Sequence, residues 1–173
     1  HTGDASIYGA IREQLDALDE LGIAHEVVPG VSSFLAAAAA MQKEYTLPEV
    51  TQTVILTRME GRTPVPERER IEELAKHRTT MVIFLSVGRI AELAERLKTA
   101  YPETTPVAVV YKASWPVETI VTGTLADIVE KVQAAGITKT ALVTVGDFLG
   151  DSYALSKLYD KAFTHEYRQG KNA

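Results

Sequence analysis

Cysteine is absent from the chain, which excludes disulfides, thiolate zinc sites and cysteine nucleophiles. Long apolar runs are absent too. The longest, Phe34 to Met41, is mostly alanine and far short of the ~18 uncharged apolar residues that span a bilayer. Positive charge is in deficit: 18 lysines and arginines face 23 aspartates and glutamates, a net charge of −5. No long basic run offers the footprint of a nucleic-acid binder. His25 and His77 have no acidic or histidine neighbour at metal-ligand spacing, so both read as structural and no protein-bound metal is expected. No Ser-His-Asp ordering and no phosphate-binding glycine loop can be defended. What is present is an ordinary globular balance, 46% hydrophobic and 24% charged over 173 residues. The expectation is a soluble, cytoplasmic protein with neither nucleic-acid nor membrane partners.

Periodicity gives the elements. Ile11, Leu15, Leu18 and Leu21 recur at helical spacing up to Gly22, and Ile23 to Val28 reads as a strand stopped by Pro29-Gly30. Ser32 or Ser33 can cap a helix running through the alanines to Lys43. Thr53 to Met59 is β-rich and leads into a loop stiffened by Pro64 and Pro66, after which Ile71, Leu74 and Ala75 mark a short helix. Met81 to Leu85 is continuously apolar, as in a sheet covered on both faces. Ile90, Leu93, Ala94 and Leu97 predict a helix, and Leu125, Ile128, Val129 and Val132 predict another, ended by Gly136. Further strands are expected at Val107 to Tyr111, Glu118 to Thr122 and Ala141 to Val145, with a helix or tail beyond Asp151. Alternating strands and helices predict an α/β fold, and Pro29-Gly30 is the sharpest candidate domain boundary.

Several residues can carry chemistry, each with a plainer reading beside it. Thr2-Gly3-Asp4 stands before a helix and can hold the polar end of a small ligand, or Asp4 can simply cap that helix. Gly146-Asp147 follows a buried strand, where ligands sit in open α/β sheets, or forms a tight turn. Arg58 and Arg62 flank the proline-rich loop as partners for a carboxylate substrate, or as solvated charge. Lys112 and Trp115 follow a core strand, and Trp115 can stack on a flat ligand or fill an apolar edge.

The order of blocks resembles the tetrapyrrole methylase family. His1-Thr2-Gly3-Asp4 with Ile7-Tyr8-Gly9 is similar to that family's Gly-Asp-Pro segment, with Ala5 in place of the usual proline. Val28-Pro29-Gly30-Val31-Ser32-Ser33, Phe84-Leu85-Ser86, Val110-Tyr111-Lys112-Ala113-Ser114 and Val145-Gly146-Asp147 resemble the remaining blocks, in order. Thr51 to Arg58, Glu60 to Pro66 and Val109 to Pro116 resemble the members that methylate ring carbon 11 of precorrin-4 or its cobalt form.

The resemblance implies two α/β domains with S-adenosylmethionine folded into the cleft between them. Residues 1–30 would end the first domain, and 31–173 would be a second α/β domain with a mixed sheet. The family's Gly-rich first strand, which helps bind cofactor and substrate, would lie upstream of His1, so the chain reads as a fragment expected to be inactive or nearly so by itself. A sister methylase acting at another ring position, or a non-catalytic α/β binding or dimerisation module, is the alternative. Carried over residue by residue, the methyl donor should meet Thr2, Gly3, Asp4, Ile7, Ser32, Ser33, Leu85 and Ala113. Arg58 and Arg62 should hold the acetate and propionate groups of the tetrapyrrole substrate. A homodimer is the assembly such a likeness implies.

Overall fold

The computed structural model describes residues 1–156, 160–164 and 166–169. Five segments rich in β-branched residues form strands: β1 (Val54–Arg58), β2 (Thr80–Phe84), β3 (Pro106–Tyr111), β4 (Thr119–Thr124) and β5 (Ala141–Val145). They make one mixed sheet in the order β1-β2-β5-β3-β4, in which β1 and β2 are parallel and every other pairing is antiparallel.

Both faces of the sheet are covered, which is why β2 reads as an unbroken apolar run and all five of its residues are buried. On one face Met81, Ile83, Val109 and Val143 pack against α3 (Ile71–Ala75), α4 (Ile90–Lys98) and α5 (Ile128–Ala134). On the other, Val82, Phe84, Val110 and Leu142 meet α2 (Ser33–Met41), Tyr45 and Phe148. The alternation of partners along each strand is the two-residue period of a pleated strand. Helix α4 buries Ile90, Leu93, Ala94 and Leu97 and no other residue, the stripe its spacing predicts. Each fully buried leucine or isoleucine here contributes about 1.5–3 kcal/mol of transfer free energy.

Other sequence expectations change. Ile23 to Val28 forms no strand and joins no sheet among the described residues, and residues 21–31 are all exposed. A strand is defined by its ladder, and none lies alongside. Helix α1 (Ile11–Glu20) forms as predicted yet buries no residue. Ser32 occupies the N-cap position of α2 without a side-chain capping bond; its carbonyl accepts from the N–H of Leu35 at 2.9 Å instead. The short helix after Pro66 is split, because Arg70 is extended between a single turn at Glu67–Glu69 and α3. Beyond Asp151 the described residues form neither helix nor strand, and 157–159, 165 and 170–173 lie outside them. No helix among the described residues is long and apolar enough to cross a membrane.

Candidate functional site

The register brings the ends of β1, β2 and β3 to one edge of the sheet together with the start of β5: Arg58 lies opposite Phe84, and Tyr111 opposite Ala141. Four residues that leave or enter strands there, Leu85 (φ 54°), Lys112 (φ 47°), Ser114 (φ 71°) and Thr140 (φ 57°), are left-handed without being glycine. Such conformations cost on the order of 1 kcal/mol or more each, most for a β-branched threonine, and persist only where the surroundings fix them. Here the Lys112 N–H donates to the Thr140 carbonyl at 2.9 Å and the Trp115 N–H to the Lys112 carbonyl at 3.0 Å. All four strained residues line one cavity of about 640 Å³, within the ~300–1,000 Å³ usual for small-molecule sites.

The opening segment of the chain forms the opposite wall. Thr2 and Gly3 line the cavity, held there by contact with the turn that leads into α2. The Asp4 carboxylate accepts the Gly30 N–H at 2.7 Å and the Ser6 N–H at 2.9 Å, and also takes the Ser6 hydroxyl. These bonds, the Ser6 hydroxyl first, hold its pKa below the usual value. Asp4 caps no helix; the residue ahead of α1 is Ala10. The approach is so close that a Cβ on Gly30 would stand 2.0 Å from the Gly3 carbonyl oxygen. Tyr8 lays its ring on Phe84, with centroids 5.2 Å apart, and fixes the same segment over the end of β2.

Five of the eight residues predicted to meet a methyl donor therefore line one cavity: Thr2, Gly3, Ser33, Leu85 and Ala113. Asp4 stands behind Gly3 as its tether. Ser32 is buried at the start of α2, and Ile7 packs on the core cluster below. Gly146-Asp147 is not at this edge. Because β5 runs antiparallel to β2 and β3, its C-terminal end lies at the far side, where the Gly146 N–H bonds the Pro106 carbonyl. The segment from Thr138 to Thr140, which enters β5, lines the cavity in its place; strand direction, which a single sequence does not reveal, was the missing signal.

The loop from Met59 to Pro66 leaves the same edge after β1. The Arg58 guanidinium donates to the carbonyls of Met59 (3.0 Å), Thr63 (3.2 Å) and Pro64 (3.0 Å) and to the Thr63 hydroxyl (2.9 Å). Arg58 thus organises its own loop. Arg62 is exposed and bonds nothing among the described residues. From below, the nearly buried Arg96 of α4 bridges Glu60 (2.5 Å) and Glu72 (2.6 Å and 2.9 Å), and the Arg89 guanidinium reaches the Glu60 carbonyl. Hydrogen bonds from Arg96 come first in holding both glutamates below their ordinary 4.5.

Both glutamate pKa values are depressed in the folded state. The stabilisation is therefore complete above about pH 4.5 and is lost as pH falls through the lower folded values. Replacing Arg96 with glutamine leaves clustered carboxylates without their partner. Since both glutamates are about one-third exposed, we expect a loss of roughly 1–2 kcal/mol at pH 7, shrinking on acidification, as measured by urea unfolding at pH 7 and pH 4. A larger cavity of about 840 Å³ beneath this loop is walled by Glu60, Glu72, Glu73 and Glu92 against Arg70 and Arg96, a surface unsuited to an anionic ligand.

Fold and site together define an α/β protein with a small-molecule cleft between a Gly-Asp loop and the strand ends of a mixed sheet. The chain belongs to the tetrapyrrole (corrin/porphyrin) methylases, the family matched by residues 1–129. It is 60% identical over 171 residues to the cobalt-precorrin-4 C(11)-methyltransferase of Methanocaldococcus jannaschii, covering 98% of this chain and 66% of that protein. The solved structure of a cobalt precorrin-4 methyltransferase superposes with a TM-score of 0.84 at 48% identity, over 87% of this chain and 64% of the other. The uroporphyrin-III C-methyltransferase of Thermus thermophilus, in complex with S-adenosylhomocysteine, gives a TM-score of 0.68 at 25% identity, over 85% and 64%. The chain spans about two thirds of the length of the relatives it matches.

Proposed function

We propose that the protein methylates ring carbon 11 of precorrin-4 or cobalt-precorrin-4 in cobalamin biosynthesis, with S-adenosylmethionine as the methyl source. The observation that carries this reading is the single cavity in which Thr2, Gly3, Ser33, Leu85 and Ala113 converge, floored by apolar side chains and framed by strained strand ends. Residues 1–30 form one wall as the end of a first domain, residues from 31 onward form the other, and Pro29-Gly30 joins them. The greater likeness to a precorrin-4 relative than to a uroporphyrin relative favours this substrate over that of a sister methylase.

The cavity fits the donor. Leu85, Ala113 and Val110 give an apolar slot for a flat base, and backbone amides at Gly3 and the strand ends can read its edge. S-adenosylmethionine, when bound, supplies an electrophilic methyl group on a sulfonium. The tetrapyrrole carbon is electron-rich by itself, so the chain need not generate a nucleophile. Its residues hold the reactants in line and keep water out, a contribution of up to ~7–11 kcal/mol in favourable cases. Arg62 meets the substrate's carboxylates from a loop that Arg58 and Arg96 hold in shape.

The reading is tested by incubating the protein, at the full length of its relatives, with cobalt-precorrin-4 and donor carrying a ¹³C-labelled methyl group, followed by NMR of the product. The expected label sits on carbon 11. Label on another ring carbon would indicate a sister methylase, and stoichiometric protein with no transfer would overturn the proposal.

A further inference from the structure

The chain carries a net charge of −5, yet the cavity over the sheet edge has no acidic residue in its wall among the described residues, while Arg89, Lys112 and Lys139 all line it. These cations differ in their surroundings. Arg89 is neutralised by Glu92, at 2.8 Å from its Nε, and also reaches the Glu60 carbonyl. Lys112 and Lys139 have no carboxylate within ion-pair distance among the described residues. The Glu118 carboxylate accepts the Ser114 N–H at 2.6 Å and makes no ion pair with either lysine.

Lys112 is nevertheless positioned. Its Nζ lies 5.1 Å from the ring centroids of both Tyr111 and Trp115, so two aromatic faces hold the ammonium without discharging it. The left-handed backbone at Lys112, locked by its bond to Thr140, aims the side chain from the strand end. A fixed, partly buried cation with no anionic partner, beside an apolar slot, is an arrangement for receiving a negative ligand group.

We propose that Lys112, with Lys139 on the same cavity, is a carboxylate-receiving group inside the cavity, separate from Arg62 on the neighbouring loop. The proposal rests on the cavity being the ligand site argued above. Two ligands of that reading bring carboxylates: the amino-acid end of the methyl donor and the side chains of the tetrapyrrole. Lys112 is a binding residue here and has no part in bond making.

Trp115 is the only tryptophan in the chain and lies on the cavity wall, half exposed, so its fluorescence reports ligand entry directly. Titrations of the chain with S-adenosylhomocysteine, with 5′-methylthioadenosine (the same nucleoside without the carboxylate) and with uroporphyrin, a polycarboxylate, separate the possibilities; calorimetry checks each dissociation constant. Lys112→Gln is expected to weaken at least one carboxylate ligand by about tenfold, leaving 5′-methylthioadenosine within about twofold. Lys112→Arg should restore most of the loss, and Lys139→Gln should give a smaller effect in the same direction. A loss confined to S-adenosylhomocysteine assigns the lysine to the donor, and a loss confined to uroporphyrin assigns it to the substrate. Unchanged affinity for both carboxylate ligands in Lys112→Gln, or an equal loss for 5′-methylthioadenosine, overturns the proposal. Failure of 5′-methylthioadenosine to bind the wild-type chain instead counts against the nucleoside cavity itself, whatever the lysine variants do with uroporphyrin.

Discussion

Replacing Gly30 with alanine should weaken S-adenosylhomocysteine binding by about tenfold to a hundredfold while leaving the sheet folded. The added Cβ would stand 2.0 Å from the Gly3 carbonyl oxygen and 2.9 Å from the carbonyl carbon. Both neighbours are backbone, so the strain cannot be relieved by a side-chain rotation. Overpacking of this kind costs roughly 1–3 kcal/mol, which is the range of affinity loss if the Gly3 loop lifts from the cavity. The cores beneath α3, α4 and α5 do not include this contact, so the main unfolding transition should shift little. Asp4→Ala removes the tether to the Gly30 N–H without adding bulk, and a smaller loss in the same direction is expected. Calorimetric titration of both variants beside thermal unfolding decides the matter. An unchanged dissociation constant in Gly30→Ala would mean that the opening segment is not a wall of the donor site.

The second large effect is expected at the loop beside the cavity. Arg62→Ala should raise the Michaelis constant for the tetrapyrrole about tenfold, the equivalent of one charge-assisted contact, while the constant for the methyl donor stays near wild type. Arg62→Lys should recover part of the loss, because lysine keeps the charge but loses the planar fork. Arg58→Ala is expected to act differently. Its four bonds to Met59, Thr63 and Pro64 shape the loop, so its loss should raise the same constant and also expose the loop amides to hydrogen exchange. Steady-state kinetics with each substrate varied in turn, together with exchange rates for residues 59–64, separate contact from support. Equal changes in both Michaelis constants for Arg62→Ala would remove it from the substrate's side of the site.

Local pattern carried much of this architecture. The four apolar positions of α4 are the four residues it buries, and the unbroken apolar run of β2 announced a sheet covered on both faces. What the pattern could not carry was pairing. Ile23 to Val28 has strand composition but no ladder among the described residues, because a strand's stability resides in a neighbour that its own residues do not specify. Strand direction was equally hidden: β5 runs antiparallel, which sent Gly146-Asp147 away from the cavity and brought Thr138, Lys139 and Thr140 to it. Side-chain partners distant in sequence were not legible. Asp4 meets Gly30 across 26 positions and Arg96 meets Glu60 across 36, and the loop acceptors that engage Arg58, though within six residues of it, left no pattern to read. The strain at Leu85, Lys112, Ser114 and Thr140 had no sequence signature either, since none is the glycine or asparagine that usually marks a left-handed backbone.

The central claim is that Thr2 and Gly3 on one side, and Leu85 and Ala113 on the other, enclose the methyl donor. A crystal structure of the chain grown with S-adenosylhomocysteine tests it most directly. The account predicts ligand density inside the cavity over the ends of β2 and β3, with the adenine against Leu85 and Ala113 and with Gly3 amide and carbonyl groups within hydrogen-bond reach. Density for the ligand anywhere else on the chain, with that cavity filled by water, would contradict it.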